Sequence, residues 1–390
     1  MQQVINTEQI PIKLWLDNTE EGSIRQARNL ANLPFAFRHI CLMPDTHQGY
    51  GMPIGGVLAT KGVVIPNAVG VDIGCGMCAV KTNILADTLS PEIIKRIMKG
   101  IRERIPLGFD HRETPGDESL MPQGHNLDEL PMVKAQYKSA LKQLGTLGGG
   151  NHFIELQRDT EGYLWIMIHS GSRNLGYKVA EHYNHIAKKE NANWYSRIDP
   201  AWDLAFLPVH SKAGYQYFKE MQYCIDFALA NRQLMMCYVQ EAVSSVLNEI
   251  DYTPMINIAH NYAAFEEHFG EQLVVHRKGA TSARLGETGI IPGSQGTKSY
   301  IVEGLDNPES FMSCSHGAGR TMSRTKAVRE LNLEEEKKKL DDQRIIHSIR
   351  GKRDLEEASS AYKDIAEVMA FQADLVKIKV ELSPLAVIKG

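Results

Sequence analysis

The sequence predicts an α+β protein with a single large domain over residues 1–390, in which a mixed β-sheet core is flanked by helices. Two observations support this fold class. Segments of strand character and segments of helical spacing interleave without the regular alternation of a doubly wound fold. Glycine-rich turns, rather than long crossover helices, separate most of the strand-like segments. Length alone allows one domain or two.

The N-terminal third is predicted to form short strands joined by glycine-rich turns. Residues 43–56 and 68–80 contain seven glycines between them, which indicates tight turns or a close approach of the backbone to a ligand. Residues 91–106 carry apolar residues at helical spacing and predict a helix. Residues 107–130 are polar and rich in turn-forming residues, so we expect an exposed loop there.

The rest of the chain mixes strands with longer helical stretches. Residues 144–156 and 163–173 predict two strands, and the second runs into a turn at His169. Residues 212–248 predict one long helix or two, and the densely charged residues 321–353 predict further helix. Strand and turn character also returns in three segments: 255–261, 272–280 and 289–304.

The composition is ordinary for a soluble globular protein, with 43% hydrophobic and 23% charged residues. The net charge of −4 gives no global sign of nucleic-acid binding, so any RNA contact would depend on local basic patches. The N-terminus lacks the features of a signal peptide, and the apolar residues 52–80 are broken by charges, prolines and glycines, so no membrane span is expected. Six scattered cysteines suit a reducing cytoplasm.

Asp72 and Cys75 form the first candidate for chemistry. A carboxylate and a thiol three residues apart, in a glycine-rich turn after an apolar strand, can point at one metal ion. The alternative is a buried cysteine that acts as a small apolar residue. Cys78 completes a CxxC with Cys75, but no second CxxC exists, which argues against a structural zinc knuckle.

Three histidines in polar phrases extend this candidate metal site. His152, His169 and His260 each lie near a predicted strand end beside Asn or Ser. A lone histidine of this kind is usually a hydrogen-bonded core or surface residue, but three on separate strands suit metal ligation. With Asp72 and Cys75 they give five candidate ligands, enough for two ions that share a ligand.

The phrase SHGAGR, residues 315–320, centres on His316. The small residues Gly317, Ala318 and Gly319 are expected to leave backbone N–H groups free for phosphate oxygens, and Arg320 adds a planar donor. A histidine placed here can bind phosphate, act as a general base or serve as a nucleophile. The plain alternative is a glycine-rich turn with an incidental histidine.

A second turn and a group of basic residues accompany this phrase. Residues 292–299, PGSQGTKS, predict a hydroxyl-rich turn that can hold phosphate or a base edge. Basic residues near these phrases predict a face that neutralises a polyanion, namely Arg173, Arg277, Lys278, Arg284, Lys298, Arg320, Arg324 and Lys326. The charge run 333–344 is interpreted as a solvated helix face.

Taken together, these phrases resemble the RtcB family of RNA-splicing ligases. The resemblance covers the chain from residue 43 to the C-terminus, and it rests on eight phrases in order, followed by VIKG at the end: MPDTHQGYGMPIGG, GVDIGCG, GGGNHFIE, HSGSR, AHNY, HRKGA, IIPGSQGTKSYI and SHGAGR.

The resemblance implies a reaction and a site. It implies that RNA ends carrying a 3′-phosphate or 2′,3′-cyclic phosphate are joined to 5′-hydroxyl ends, in tRNA splicing or RNA repair, with GTP as cosubstrate and two Mn²⁺ ions. It implies that His316 takes up GMP, that Asp45 supports the site near the metals, and that the C-terminal Lys389–Gly390 is ordered. The implied metal ligands are Asp72, Cys75, His152, His169 and His260. The implied nucleotide contacts are Asn151, Glu155, Asn261, Pro292, Gly293, Ser294, Gln295, Ser299, Gly317, Ala318, Gly319 and Lys389.

One tension accompanies this interpretation. Thiolate and imidazole ligands favour zinc by affinity, whereas the resemblance implies manganese. Two other functions are alternatives: a metal-dependent phosphodiesterase that opens cyclic phosphates without ligation, and an RNA-binding adaptor without catalysis. The phrases around His316 and Lys389 argue against the first, and the intact candidate ligands argue against the second. The need for an archease-type activator does not follow from the residues.

Overall fold

The computed structural model describes residues 1–390 and contains seventeen strands. Their bounds are β1 Gln3–Ile5, β2 Ile12–Leu14, β3 Ala36–His47, β4 Ile54–Thr60, β5 Val63–Val64, β6 Gly76–Leu85, β7 Phe153–Asp159, β8 Tyr163–Ser170, β9 Leu207–Pro208, β10 Ile256–Ala259, β11 Asn261–His268, β12 Glu271–Lys278, β13 Ala280–Ser282, β14 Thr288–Ile291, β15 Ser299–Gly304, β16 Ser313–Ser315 and β17 Val376–Lys389.

Nine α-helices accompany these strands. Their bounds are α1 Glu21–Ala31, α2 Pro66–Val69, α3 Pro91–Arg104, α4 Pro131–Gln143, α5 Arg173–Asn193, α6 Lys212–Ser244, α7 Arg324–Glu330, α8 Leu333–Asp342 and α9 Ile365–Phe371. None of these helices combines the length and the apolar character that crossing a membrane requires.

Two larger sheets organise the strands. A six-stranded sheet runs β1-β2-β3-β4-β12-β11, and its β2–β3 pair is parallel. A seven-stranded antiparallel sheet runs β10-β6-β8-β7-β17-β15-β14. Two short ribbons, β13-β16 and β5-β9, complete the strand pairing. The predicted α+β class with a mixed sheet core and flanking helices is therefore confirmed. The single domain over residues 1–390 stays a prediction.

The seven-stranded sheet is covered by helices on both faces because its side chains alternate in direction. Cys78 and Val80 of β6 pack with α3 and α6, whereas Met77 and Ala79 of the same strand pack with the opposite layer, to which Leu340 of α8 contributes. This burial fixes the register of β6. The N-terminal end of β6 lies at the same edge of the sheet as the N-terminal end of β7 and the C-terminal end of β8.

Of the two possibilities predicted for 212–248, one helix or two, the structure has one helix, α6, which ends at Ser244. Two other details differ from the sequence predictions. The stretch 321–353 is divided, because Asn332 caps a new helix by accepting from the Glu334 and Glu335 amides. The strand predicted over 144–156 begins only at Phe153, because three glycines before it adopt positive φ angles that a strand excludes: Gly145, Gly148 and Gly150.

Candidate metal centre and nucleotide site

The five candidate ligands converge at one edge of the seven-stranded sheet. Asp72 and Cys75 lie just before β6, and His169 lies on β8 opposite Met77 of β6. His152 immediately precedes β7, whose first residue, Phe153, is paired with His169. His260 follows β10, whose last residue is paired with the first residue of β6. Antiparallel pairing thus brings residues from four distant segments together.

The ligand atoms form two groups that share Cys75. One group is Asp72, Cys75 and His152, and the other is Cys75, His169 and His260; within each group the ligand atoms lie within 4.8 Å of one another. Cys75 Sγ lies 3.5 Å from His152 Nε2 and 3.3 Å from His169 Nε2. His152 Nε2 lies 3.2 Å from Asp72 Oδ2. The five predicted ligands are therefore brought together, and their division between two ions stays a prediction.

The orientation of His169 suits ligation. Its Nδ1–H can donate to the carbonyl of Asn151 at 3.1 Å, which leaves the Nε2 lone pair directed at Cys75. Burial lowers the pKa of His169 well below its ordinary value, and the charge of His152 lowers it further, so the ring is held neutral. Burial and the neighbouring Asp72 carboxylate raise the pKa of the Cys75 thiol.

The chemistry of these residues fits a transition-metal ion. Asp72 Oδ1, His152 Nδ1 and His260 Nδ1 are buried without a hydrogen-bond partner. A cysteine, three histidines and a carboxylate form this cluster, and each offers one potential metal-ligand atom. Their side chains make few hydrogen bonds to other parts of the protein. Such a cluster is costly without a cation that accepts these lone pairs. We therefore treat it as a metal-binding site.

His316 lies beside this centre and is oriented by Asp45. The rings of His260 and His316 are 4.8 Å apart between centroids. The Nδ1 atom of His316 lies 2.6 Å from Oδ2 of the fully buried Asp45. The same oxygen accepts from the amides of His316 and Gly317, at 3.1 and 3.3 Å. Asp45 thus contacts His316 directly, a closer role than general support of the metals.

These contacts correct the prediction for the SHGAGR turn. The Gly317 amide is not free for phosphate, because it donates to Asp45. The Arg320 guanidinium is also occupied, since it donates to the Met322 and Glu356 carbonyls and to the Tyr362 hydroxyl. Of the three small residues, Ala318 and Gly319 keep amides without an internal acceptor. Gly319 must be glycine, because its φ is +76° and a methyl there would overlap the Asp45 backbone.

The candidate nucleotide residues gather on the neighbouring strands. Lys389, the last residue of β17, is paired with Phe153 of β7, so the C-terminus is ordered at the sheet edge. Its Nζ lies 3.9 Å from Glu357 Oε2 and 5.5 Å from the centre of the Phe153 ring. Glu155 is buried two residues further along β7, and its Oε2 accepts from Gln157 Nε2 at 2.6 Å. The same Gln157 Nε2 also donates to Ser299 Oγ, at 3.1 Å.

Burial and neighbouring charges shift the pKa values of three of the charged groups in this region. Burial raises the pKa of Glu155 to about 8, although the Gln157 hydrogen bond and the Lys389 charge oppose the rise. Burial also lowers the pKa of Lys389, and the carboxylates of Glu357 and Glu155 offset part of that effect. Burial alone would raise the pKa of Glu357, but the charges of Lys389, Arg324 and Arg320 outweigh it and lower that pKa.

The remaining candidate contacts lie on two turns and on β11. Gly317 lies next to Pro292, so the two predicted turns are adjacent. Gln295 Nε2 donates to the Glu357 carbonyl at 2.8 Å, and its buried Oε1 has no partner. Hydrogen bonds shape the second turn from within: Gly293 N to Ser299 Oγ and Ser294 N to Thr297 Oγ1. Asn261 bridges the Asp72 carbonyl and the Gly279 amide.

The predicted basic face is largely used inside the protein. Arg277 is fully buried and is paired with Glu266. Lys278 donates to the Tyr50 and Asn67 carbonyls, and burial lowers its pKa to about 7. Neither residue can therefore face RNA. The sequence analysis did not predict the burial of Arg277 and Lys278, because a cluster of basic residues in the sequence does not show which side chains are buried.

Two residues of α6 that the sequence analysis did not single out hold the ligand segments together. Buried Arg232 donates from Nη1 to the Gly74 and Ser170 carbonyls, at 3.0 and 2.9 Å, and from Nε to Asn257 Oδ1 at 2.7 Å. Asn231 bonds the 145–146 backbone, the Ser170 hydroxyl and the Gly171 carbonyl. An Asn-Arg pair in a helix carries no local signal of such a role.

Two glycines beside the ligands also escaped the sequence analysis. A methyl group on Gly171 would overlap the Asp72 carboxylate, and one on Gly148 would overlap the His152 ring and Arg173. Both positions therefore leave room for ligand side chains. The glycine-rich phrases suggested a close backbone approach to a ligand, but they did not tell which glycine faces which side chain.

The fold and the site define a metal-binding α+β protein with a carboxylate-oriented histidine beside its metal centre. A family model described as "tRNA-splicing ligase RtcB" matches residues 26–130 and 117–390. The chain is 40% identical over 413 residues to the RNA-splicing ligase RtcB of Escherichia coli (strain K12), and the match covers 100% of this chain and 99% of that protein.

More distant relatives agree with this match. The tRNA-splicing ligase RtcB of Thermococcus kodakarensis is 32% identical over 95% of this chain and 92% of its own length. The RNA-splicing ligase RtcB homolog 1 of Entamoeba dispar is 33% identical over 96% of this chain and 83% of its own length. The chain belongs to the RtcB family.

Proposed function

We propose that this protein is an RNA ligase that joins RNA ends carrying a 3′-phosphate or 2′,3′-cyclic phosphate to 5′-hydroxyl ends, with GTP as cosubstrate. The observation that carries the proposal is the placement of His316 between a buried carboxylate, Asp45, and a candidate two-ion metal centre. Family membership supports RNA as the substrate. The physiological setting is tRNA splicing or RNA repair.

His316 acts as the nucleophile. Because Asp45 only accepts hydrogen bonds when ionised, the ring proton resides on Nδ1 and the Nε2 lone pair is free. Nε2 attacks the α-phosphorus of GTP, an N–P bond forms, the bond to the bridging oxygen breaks, and pyrophosphate leaves with that electron pair. The hydrogen bond to Asp45 stabilises the ring as positive charge develops on it.

GMP then passes from the protein to the RNA. An oxygen of the RNA 3′-phosphate attacks the phosphorus of the His316-bound GMP, and the imidazole leaves. The RNA 5′-hydroxyl next attacks the activated 3′-phosphate, GMP departs, and the hydroxyl proton is released. A cyclic end enters this sequence only after water has opened it to a 3′-phosphate.

Five residues would hold the metal ions: Asp72, Cys75, His152, His169 and His260. When bound, two divalent ions would neutralise phosphate charge beside His316. We propose Mn²⁺ as the working metal, although thiolate and imidazole donors also favour zinc.

The pocket of β7, β15 and β17 holds the nucleotide. The Glu155 carboxylate can accept from the N1–H and amino group of guanine, a donor pair that adenine does not present. Lys389 places a cation beside that carboxylate and beside the Phe153 ring. Further contacts come from the turns around Pro292–Gln295 and Gly317–Gly319 and from Asn151, Asn261 and Ser299. Selectivity for GTP over ATP follows from this arrangement.

Ligation of a synthetic RNA pair tests the proposal. One RNA carries a 3′-phosphate, or a cyclic phosphate in a parallel reaction, and the other carries a 5′-hydroxyl; each reaction contains Mn²⁺ with GTP or ATP. We expect joined product with GTP and little with ATP. Opening of the cyclic end without joining would instead identify a phosphodiesterase, and RNA binding without either reaction would identify an adaptor.

A further inference from the structure

The segment 106–112 is fastened along the loop that leads to His152. The Leu147 amide donates to the Pro106 carbonyl and the Arg112 amide to the Lys142 carbonyl, both at 3.0 Å. The Arg112 guanidinium donates to the Leu144 and Gly145 carbonyls, at 3.0 and 2.9 Å. These bonds hold both ends of the segment, so the residues between them have a defined position.

Phe109 lies at the centre of this fastened segment with its ring in solvent. The residue is 86% exposed and has no aromatic neighbour in the chain. Arg173 holds the preceding residue by donating to the Gly108 carbonyl at 3.2 Å. Several hydrogen bonds therefore hold the segment from which this apolar ring projects into water. Single exposed apolar residues are common, so its surroundings decide its meaning.

Those surroundings belong to both candidate sites. A methyl group on Gly149 would meet Phe109 Cε2 at 4.0 Å, and Gly149 lies three residues before His152, a span of at most about 11 Å. The C-terminal Gly390, next to Lys389, abuts Gly148 and the Gly108 amide. The ring thus stands where the metal loop and the nucleotide lysine meet.

The guanidinium of Arg324 and two glycines without side chains, Gly149 and Gly150, complete this surface. Arg324 reaches the space beside Gly150, where Nη2 would be 3.0 Å from an added methyl. Its Nε is bonded to Glu357, but both Nη atoms are free of internal partners. Gly149 and Gly150 place no side chains between the ring and the guanidinium. An aromatic face beside a cation is how proteins bind single-stranded nucleic acid.

We propose that Phe109 is a stacking platform for the base of a terminal RNA nucleotide, with Arg324 contacting the RNA phosphate. The inference rests on the proposed ligase function and names a binding residue for its substrate. The base at either RNA end can supply this chemistry. Stacking tolerates any base, so the platform would bind RNA ends irrespective of sequence.

The test compares Phe109→Ala and Phe109→Tyr in the full-length protein, with Tyr195→Ala as the control. Tyr195 is 90% exposed and follows α5, whose 21 residues carry it about 30 Å from Arg173. RNAs carrying 2-aminopurine at the 3′-phosphate nucleotide or at the 5′-hydroxyl nucleotide report stacking by loss of fluorescence. Covalent GMP uptake from GTP, without RNA, is measured in parallel.

We expect Phe109→Ala to weaken binding of one labelled end about 5- to 150-fold and to restore its fluorescence. Phe109→Tyr and Tyr195→Ala should behave as wild type, and GMP uptake should be unchanged in all variants. Unchanged binding and fluorescence for both ends in Phe109→Ala would overturn the platform, as would a loss of GMP uptake, which would place the ring on GTP. Absence of GMP uptake in wild type would contradict the ligase function alone, because the fluorescence arm does not depend on it.

Discussion

The Oδ2 atom of Asp45 lies 2.6 Å from Nδ1 of His316, and this contact leaves Nε2 as the only ring nitrogen that is free to react. Asp45 is completely buried, and its Oδ2 also accepts the His316 and Gly317 amides. One carboxylate thus sets the tautomer, the ring orientation and the backbone of the turn. The orientation of His316 that the proposed attack requires is therefore already present in the protein without nucleotide.

Asp45→Asn should slow GMP uptake about 10²- to 10⁴-fold. An amide at this position can donate to Nδ1, which favours the tautomer whose proton blocks Nε2. Single-turnover GMP uptake under saturating GTP and Mn²⁺ measures the effect. Asp341→Asn is the matched control, because Asp341 is paired with His347 at 3.2 Å on an exposed surface. Equal rates for both variants would show that Asp45 has no role in activating His316.

Gly171→Ala should reduce metal binding without unfolding the protein. The added methyl would overlap the Asp72 carboxylate, which can swing away because it is a side-chain terminus, so one ligand is lost from the first ligand group. We expect at least about a tenfold weaker affinity for Mn²⁺, measured by titration with metal analysis. Gly351→Ala, where the methyl meets open space, should bind metal as wild type does. Retention of full metal affinity in Gly171→Ala would remove Asp72 from the ligand set.

Arg232→Met should destabilise the protein by at least about 3 kcal/mol. The Gly74 and Ser170 carbonyls and Asn257 Oδ1 would lose their donor in the buried interior, where each unsatisfied polar group costs about 1–3 kcal/mol. Denaturant unfolding gives the loss of stability, and metal titration should show weaker binding because two ligand segments lose their anchor. Arg329→Met, at a surface position, should change the free energy of unfolding by less than about 0.5 kcal/mol.

Affinity for GTP should rise as the pH increases from 6 to 8 and then level off. The pKa of Glu155 without nucleotide is raised to about 8 by burial, against the Gln157 hydrogen bond and the Lys389 charge. Guanine binding needs the ionised carboxylate, so each pH unit below 8 should weaken binding about tenfold. Glu155→Gln should bind GTP more weakly and lose this dependence. An identical pH profile in that variant would show that Glu155 does not contact guanine.

The sequence predicted the fold class and most of the elements because periodicity and glycine positions are local signals. It failed where local signals conflict: 144–152 is apolar enough to suggest a strand, but three of its glycines adopt positive φ. The five candidate ligands were found because Cys and His in polar phrases are conspicuous. Arg232 and Gly171 were missed because their roles depend on contacts with segments that are distant in the sequence, Gly74 and Ser170 for Arg232 and Asp72 for Gly171.

The basic residues show a different error, because the sequence analysis assigned them a role in RNA binding that several of them cannot have. Eight Arg and Lys residues near the motifs suggested an RNA-binding face, but burial and pairing remove Arg277, Lys278 and Arg320 from it. The sequence shows how many charged residues there are, but it does not show which of them are buried or already bonded to other groups of the protein. Arg324 keeps two free nitrogens beside Gly150 and remains available for RNA.

Covalent labelling of His316 tests the central claim most directly. The protein is incubated with Mn²⁺ and GTP labelled at either the α- or the γ-phosphate, and His210→Ala, an exposed histidine variant, serves as the control beside His316→Ala. The account predicts α-label on wild type and His210→Ala, no label on His316→Ala, and no γ-label on any of them. Label retained by His316→Ala, or a wild-type protein that takes up no α-label, would contradict it.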